Sequence, residues 1–305
     1  MISNQDVQAY REHGYLVVPE LVDPATLAEM RRVIGGFVER ARAVTAHDDI
    51  YDLEPSHRPD RPRVRRIKKP HALDAVFDGF MRSERLLAVL TRLLGPGVRL
   101  HGSKLNIKAP EYGSPVEWHQ DWAFYPHTND DLLAVGVMLD DCQLENGPLM
   151  VMPGSHKGPV HDHHADGYFC GAIDPEACPL DFTRAVPLTG KAGSCSFHHV
   201  RLVHGSAQNT SKLPRQLLLY EFAATDAWPL MMGAGNLAEF DSRIVRGDKT
   251  IEPRLTAVPV RMPLPPARGQ GSIYENQTGF RKRYFAFDPV IEPAVESAKV
   301  LAPAK

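Results

Sequence analysis

The segment Val116-Glu117-Trp118-His119-Gln120-Asp121-Trp122 sets an imidazole and a carboxylate two residues apart. On a strand, residues i and i+2 face the same side. One ring nitrogen and one carboxylate oxygen then reach a single metal ion. A third ligand must come from elsewhere, and His204 in Leu202-Val203-His204-Gly205-Ser206 is the best candidate. Two histidines and a carboxylate on one face form a facial triad. It leaves three octahedral positions open, as non-haem Fe(II) oxygenases require. An HxD triplet alone also arises by chance, as a hydrogen-bonded pair on a surface strand. Its company narrows the reading: eleven residues after His204 comes Arg215, ahead of the strand-like Gln216-Leu217-Leu218-Leu219-Tyr220. A guanidinium there can hold a carboxylate by two parallel hydrogen bonds, which a lysine does less specifically.

These residues need strands around them and helices to cover those strands. Ser3 with Asp6 reads as a capping box and Gly14 as a stop, giving a helix over about 4–13 and a strand at 15–18. Asp23 before Pro24 starts a second helix whose apolar residues recur at helical spacing from Leu27 to Ala41. A third follows Ser83 and ends at Gly95-Pro96. After Pro96, short apolar runs alternate with Gly, Pro, Asn and Asp clusters, and strands are expected at 98–107, 132–139, 149–151, 194–197, 216–222 and 257–262. Such strands suggest a β-sandwich or barrel. With no repeat or linker in sight, one domain is expected over 1–305: a helical part to about 95, a β core over about 96–265, and an extension over about 266–305.

Composition removes other classes. The 305 residues carry 35 Lys and Arg against 37 Asp and Glu, a net charge of −2, with 43% apolar and 24% charged residues. This is ordinary for a soluble globular protein, and near-neutrality argues against general nucleic-acid binding. The longest apolar stretches, such as 132–139, fall far short of the roughly 20 residues of a membrane helix. The N-terminus lacks a basic region followed by an apolar core, and the four cysteines form no CxxC pair. The expectation is a reduced cytoplasmic protein, monomeric or homodimeric, with no nucleic-acid or membrane partner. The basic run 58–69 reads first as a solvated face, and otherwise as a positive flap that draws an anionic co-substrate to a cleft. Fourteen histidines are the surplus in the inventory.

Three blocks in order give the chain a wider resemblance. They are Leu94-Gly95-Pro96 through Lys108-Ala109-Pro110 to Trp118-His119-Gln120-Asp121; Glu145-Asn146-Gly147-Pro148-Leu149 with Pro153-Gly154-Ser155-His156-Lys157-Gly158; and Gly193 through Phe197-His198 and His204-Gly205-Ser206 to Asn209 and Arg215. In these the chain resembles the phytanoyl-CoA dioxygenase-like Fe(II)/2-oxoglutarate oxygenases, from Tyr10 to about Phe222. The resemblance implies a mainly β fold, a double-stranded β-helix (jelly-roll, cupin-like) core with N-terminal helices packed on it. It implies Fe(II) bound by His119, Asp121 and His204, with 2-oxoglutarate and O2 as co-substrates. It implies that Arg215 pairs with the distal carboxylate of 2-oxoglutarate, that Ser206 adds a hydroxyl contact, and that Lys68 supplies a second cation, although Lys69 stands beside it. The expected activity is oxidation of a small molecule, by hydroxylation first, with release of succinate and CO2. Asp121 argues against halogenation, because related halogenases have Gly or Ala there. It does not separate hydroxylation from desaturation, epoxidation or ring closure. A non-oxygenase metal cupin would have no evident use for Arg215, and a non-enzymatic binding module none for the intact ligand set.

The remaining candidates concern the substrate. Trp118, Trp122, Phe124 and Tyr125 flank the first ligands and are core by default, but Trp122 and Tyr125 could line the pocket. Asn106 could point inward from the preceding strand. The cluster His161, His163 and His164 reads as a polar loop near the mouth, with His161 a possible substrate contact. Arg281, in a basic turn, could cover the cleft and hold an acidic group.

Overall fold

A computed structural model describes residues 2–231, 235–269 and 271–286. Eleven strands form the frame: β1 Tyr15–Val18, β2 Tyr51–Leu53, β3 Val64–Lys68, β4 Val98–Lys108, β5 Val116–His119, β6 Leu132–Met138, β7 Leu149–Val151, β8 Val186–Leu188, β9 Cys195–His199, β10 His204–Ser206 and β11 Arg215–Ala224. The major sheet runs β1-β9-β6-β11-β4-β3-β2, with the short strand Ile244–Arg246 also on β4. The minor sheet runs β8-β7-β10-β5. All these pairings are antiparallel. The two sheets are the walls of a jelly roll, as the resemblance implied.

The helices begin where their capping residues place them. Asp23 accepts hydrogen bonds from the amides of Ala25 (3.1 Å) and Thr26 (2.9 Å), with Pro24 in the first turn of the helix Pro24–Arg40. That helix buries Leu27, Met30, Val33, Ile34 and Phe37. These join Leu86, Leu87 and Leu90 of the helix Glu84–Leu94 in one core with β4, β6, β9 and β11. The helices Asn4–His13 and Glu84–Leu94 also start and stop as the caps predict.

Two expectations need correction. The basic run 58–69 is not a solvated flap throughout, because Val64–Lys68 is a strand with four of its five residues buried. Acid partners permit this: Arg65 pairs with Glu275, Lys68 lies 2.9 Å from Asp52, and Arg66 lies 3.9 Å from the same carboxylate. The span 257–262 forms no strand. It lies in a stretch with prolines at 253, 259, 263, 265 and 266, and proline cannot donate to a ladder. Among the described residues no helix is long and apolar enough to cross a membrane.

Candidate metal centre

His119 ends β5 and His204 begins β10, and the two stand opposite each other in the antiparallel register. Their ring centroids are 4.1 Å apart. The strand stops at His119, and Asp121 opens a tight turn, Asp121–Ala123. Gln120 stays extended between them (φ −120, ψ 127), so the two-residue spacing still brings both side chains to one side. His119 Nε2 lies 3.8 Å and His204 Nε2 4.0 Å from Asp121 Oδ1. One donor atom from each of the three fits within 4.8 Å. All three are buried.

The donor atoms are prepared for a cation. His119 Nδ1 donates to the Glu117 carbonyl (2.8 Å) and His204 Nδ1 to the Leu202 carbonyl (2.9 Å). Each bond fixes the tautomer that turns a bare Nε2 toward the centre. Burial pushes His204 down to about 4 and holds His119 well below its ordinary value, so both rings are neutral at pH 7. Burial works against the charge on Asp121. The adjacent His198 ring, then His204, Lys104 and His119, nevertheless hold its carboxyl well below the usual range. Two neutral imidazoles and a carboxylate around one point fit Fe(II).

The surrounding motifs hold the ligands in place. Ser155 Oγ accepts the Val203 amide at 2.9 Å, fixing the approach to His204. Gly205 lies against β5: a Cβ there would come within 3.0 Å of the Val116 carbonyl and 2.8 Å of the Phe285 ring. His163 explains part of the histidine cluster. Its Nε2 accepts the Gln120 amide at 2.9 Å, between the two ligands, while its Nδ1 donates to the His161 carbonyl at 2.9 Å. Burial lowers it to about 3, which keeps it an acceptor. His163→Ala strands the buried Gln120 amide, at a cost of about 1–3 kcal/mol. It is expected to weaken iron binding by roughly 10–100-fold, read by equilibrium competition with a chelator; an unchanged affinity would refute this role.

A chamber extends from the ligands between the sheets. Arg66, Lys104, Asn106, His198, Ser206, Arg215, Glu221, Ile273 and Tyr274 border it with the three ligands, and Val116, Ala134, Leu149, Leu217 and Leu219 add an apolar wall. At one end Arg215 is buried, its Nε (3.0 Å) and Nη2 (2.6 Å) donating to the Gly147 carbonyl. Asn146 sets that carbonyl: its Oδ1 accepts the Gln143 amide (2.9 Å) and its Nδ2 donates to Asp141 (2.7 Å). Gly147 follows with φ +74, where a Cβ would also meet the Ala207 carbonyl at 2.6 Å. Asn209 orders the turn before Arg215 through the Lys108 (3.1 Å) and Leu213 (2.7 Å) carbonyls. The chamber opens on a mouth lined by Lys68, Lys69, His101, Ser103, Phe124, Tyr125 and Asn276, with Arg66, Lys104, Asp121, Glu221 and Ile273 shared between the two.

The structure therefore brings Arg215, Ser206 and Asn106 to the chamber and Tyr125 to its mouth. It moves four other residues out. Lys68 borders the mouth and not the chamber, its Nζ held by Asp52 (2.9 Å) and the Asp48 carbonyl (2.7 Å). Lys69 also stays at the mouth, so Arg66 is the cation of that strand that reaches inside. Trp122 is fully buried among Leu132, Val160, Val200 and Ala223, its indole donating to Pro259 at 2.9 Å. His161 packs beside Cys178 (Nδ1 to Sγ 3.6 Å) and borders neither space. Arg281 borders a separate surface hollow with Asp166, Tyr168 and Arg268. Sequence reasoning did not single out Arg66, Lys104 and Glu221, which line the chamber, or Ile273 and Tyr274 from the C-terminal extension. Alternation of Lys104, Asn106 and Lys108 with Leu105 and Ile107 was the available signal for Lys104; nothing local marked Arg66, Glu221, Ile273 or Tyr274.

Known proteins place this geometry. The family model described as phytanoyl-CoA dioxygenase matches residues 10–217. A probable alpha-ketoglutarate-dependent hypophosphite dioxygenase of Stutzerimonas stutzeri is 38% identical over 282 residues, 90% of this chain and 97% of that protein. L-proline trans-4-hydroxylase of Streptomyces griseoviridis is 29% identical, covering 70% of this chain and 83% of its own. Among solved structures, EctD from S. alaskensis with bound Fe superposes with a TM-score of 0.65 at 26% identity, covering 86% of this chain and 88% of that one.

Proposed function

The chain belongs to the phytanoyl-CoA dioxygenase family and is an Fe(II)/2-oxoglutarate-dependent dioxygenase of small molecules; from that premise we propose that its substrate is a small phosphorus oxyanion, hypophosphite first. The observation that carries this reading is the lining of the chamber's open side. Lys68, Lys69, Lys104 and Arg66 stand there beside Phe124, Tyr125 and Ile273, a density of cations that an anion would use and an uncharged acyl chain would not. The 38% relative, spanning nearly its whole length, is named for this substrate.

In the proposed assignment His119, Asp121 and His204 hold Fe(II). Arg215 and Ser206 hold the distal carboxylate of 2-oxoglutarate at the far end. With these bound, the metal and O2 supply an oxidising equivalent as 2-oxoglutarate becomes succinate and CO2. Hypophosphite would lose one P–H bond and gain one P–OH bond. Phosphorus would rise from +1 to +3, and the hydrogen phosphite formed would release a proton to water. The chain contributes position and dryness: Ile273 and Tyr274 close one wall, and the neutral imidazoles neither take nor give a proton.

The test is a panel of hypophosphite, ectoine, L-proline and phytanoyl-CoA with the iron-loaded protein, read as succinate release. Phosphite formation is followed in parallel by ³¹P NMR. Phosphite formed one-for-one with succinate is the expected result. Succinate release driven by ectoine, L-proline or phytanoyl-CoA and not by hypophosphite would overturn the substrate assignment and leave the reaction class intact.

A further inference from the structure

Arg66 is 8% exposed, yet its Nη2 is buried with no hydrogen-bond partner among the described residues. Its Nε donates to Asn106 Oδ1 at 3.1 Å, and its guanidinium lies 5.4 Å from the Tyr274 ring centroid. A buried donor without a partner costs stability unless something fills it. Lys104 Nζ sits 2.7 Å from Glu221 Oε1, which occupies one of three ammonium donors. Arg66 and Lys104 line both the chamber and its mouth, whereas Arg215 lines the chamber alone.

We propose that Arg66 and Lys104 hold the oxygens of an anionic substrate beside the metal centre, with Glu221 as the resident counter-ion of Lys104. This rests on the reading of the substrate as a small oxyanion. The charges agree with it. The charged side chains bordering the chamber are the cations Arg66, Lys104 and Arg215 and the anions Asp121 and Glu221, while Asp52, 3.9 Å behind Arg66, is offset by Lys68 at 2.9 Å. A ferrous ion and dianionic 2-oxoglutarate cancel each other, so one positive charge remains for a monoanion such as hypophosphite. The planar fork of Arg66 meets two oxygens of one phosphorus, and the mobile ammonium of Lys104 meets one from the side. Glu221 keeps Lys104 charged and aimed while the site waits, since an unpaired buried ammonium would tend to lose its proton.

The experiment is steady-state kinetics of the iron-loaded protein carrying Arg66→Met, Arg66→Lys or Lys104→Met, with hypophosphite and 2-oxoglutarate varied in turn. The expected result is a KM for hypophosphite raised at least tenfold by Arg66→Met and Lys104→Met, partly restored in Arg66→Lys. The KM for 2-oxoglutarate should move less than threefold. Lys104→Met leaves Glu221 buried without its partner, so the double variant Lys104→Met/Glu221→Met, which removes both charges, is measured beside it and should show the same hypophosphite defect. A rise confined to the KM for 2-oxoglutarate would make these co-substrate residues and overturn the inference. So would an unchanged KM for hypophosphite in folded variants. If wild-type protein turns over no small anion at all, the substrate reading fails first, and this inference with it.

Discussion

Protein carrying His119→Ala or Asp121→Ala is expected to form succinate at least about 10³-fold more slowly than the wild type, because residues that act as one unit lose nearly everything when one is removed. The geometry leaves no substitute. His198 Nε2 is near, 3.7 Å from Asp121 Oδ2, but a metal held by two protein donors would be displaced toward solvent ligands. Each variant also loses different physics. His119→Ala removes a neutral donor and frees the Glu117 carbonyl. Asp121→Ala removes the one anion among the ligands, so it should weaken the ferrous ion most. Folding should survive, since a buried carboxylate is no asset to the metal-free chain. Iron content after anaerobic loading, circular dichroism and succinate release together check the claim. A well-folded Asp121→Ala protein with succinate release within tenfold of wild type would sink the assignment.

Arg215→Ala should raise the KM for 2-oxoglutarate on the order of 10²- to 10³-fold. Truncating one partner of a buried, hydrogen-bonded charge pair costs about 2–5 kcal/mol, and each 1.4 kcal/mol is a factor of ten. The Gly147 carbonyl bonds to Nε and Nη2, so the guanidinium is anchored before any co-substrate arrives, and little entropy remains to be lost on binding. Arg215→Lys keeps the charge and loses both the fork and the anchor, so it should recover only part of the affinity. A KM for 2-oxoglutarate within threefold of wild type in Arg215→Ala would remove the clamp.

The chemistry of this chain was more legible than its walls. His119, Asp121, His204 and Arg215 could be read because type and spacing coincide, and the two-residue rule survives even though Asp121 lies past the end of β5. Helix starts were legible because caps are local: Asp23 and Ser83 act within three residues of themselves. Residues 64–68 were not legible as a buried strand. A run of cations reads as solvated, and the acids that permit its burial, Asp52 and Glu275, lie up to 210 positions away. Trp122 follows Asp121 directly in the sequence yet turns away from the chamber into a separate apolar cluster, and His161 turns away beside Cys178. Lys68 stops at its mouth because Asp52 captures it first.

The late position of Ile273 and Tyr274 bears on how the protein is made. The last metal ligand, His204, leaves the ribosome about 70 residues before Tyr274. At roughly 5–20 residues per second that is several seconds of synthesis. During that interval a nascent chain can own every iron ligand and lack one side of its reaction vessel. Gln277, which ties this segment down through the Glu117 amide (3.0 Å) and the Gly171 carbonyl (2.9 Å), arrives later still. Translation order thus withholds the closed chamber until the segment from Ile273 to Gln277 has been made, and a ferrous ion captured earlier would face oxygen without it.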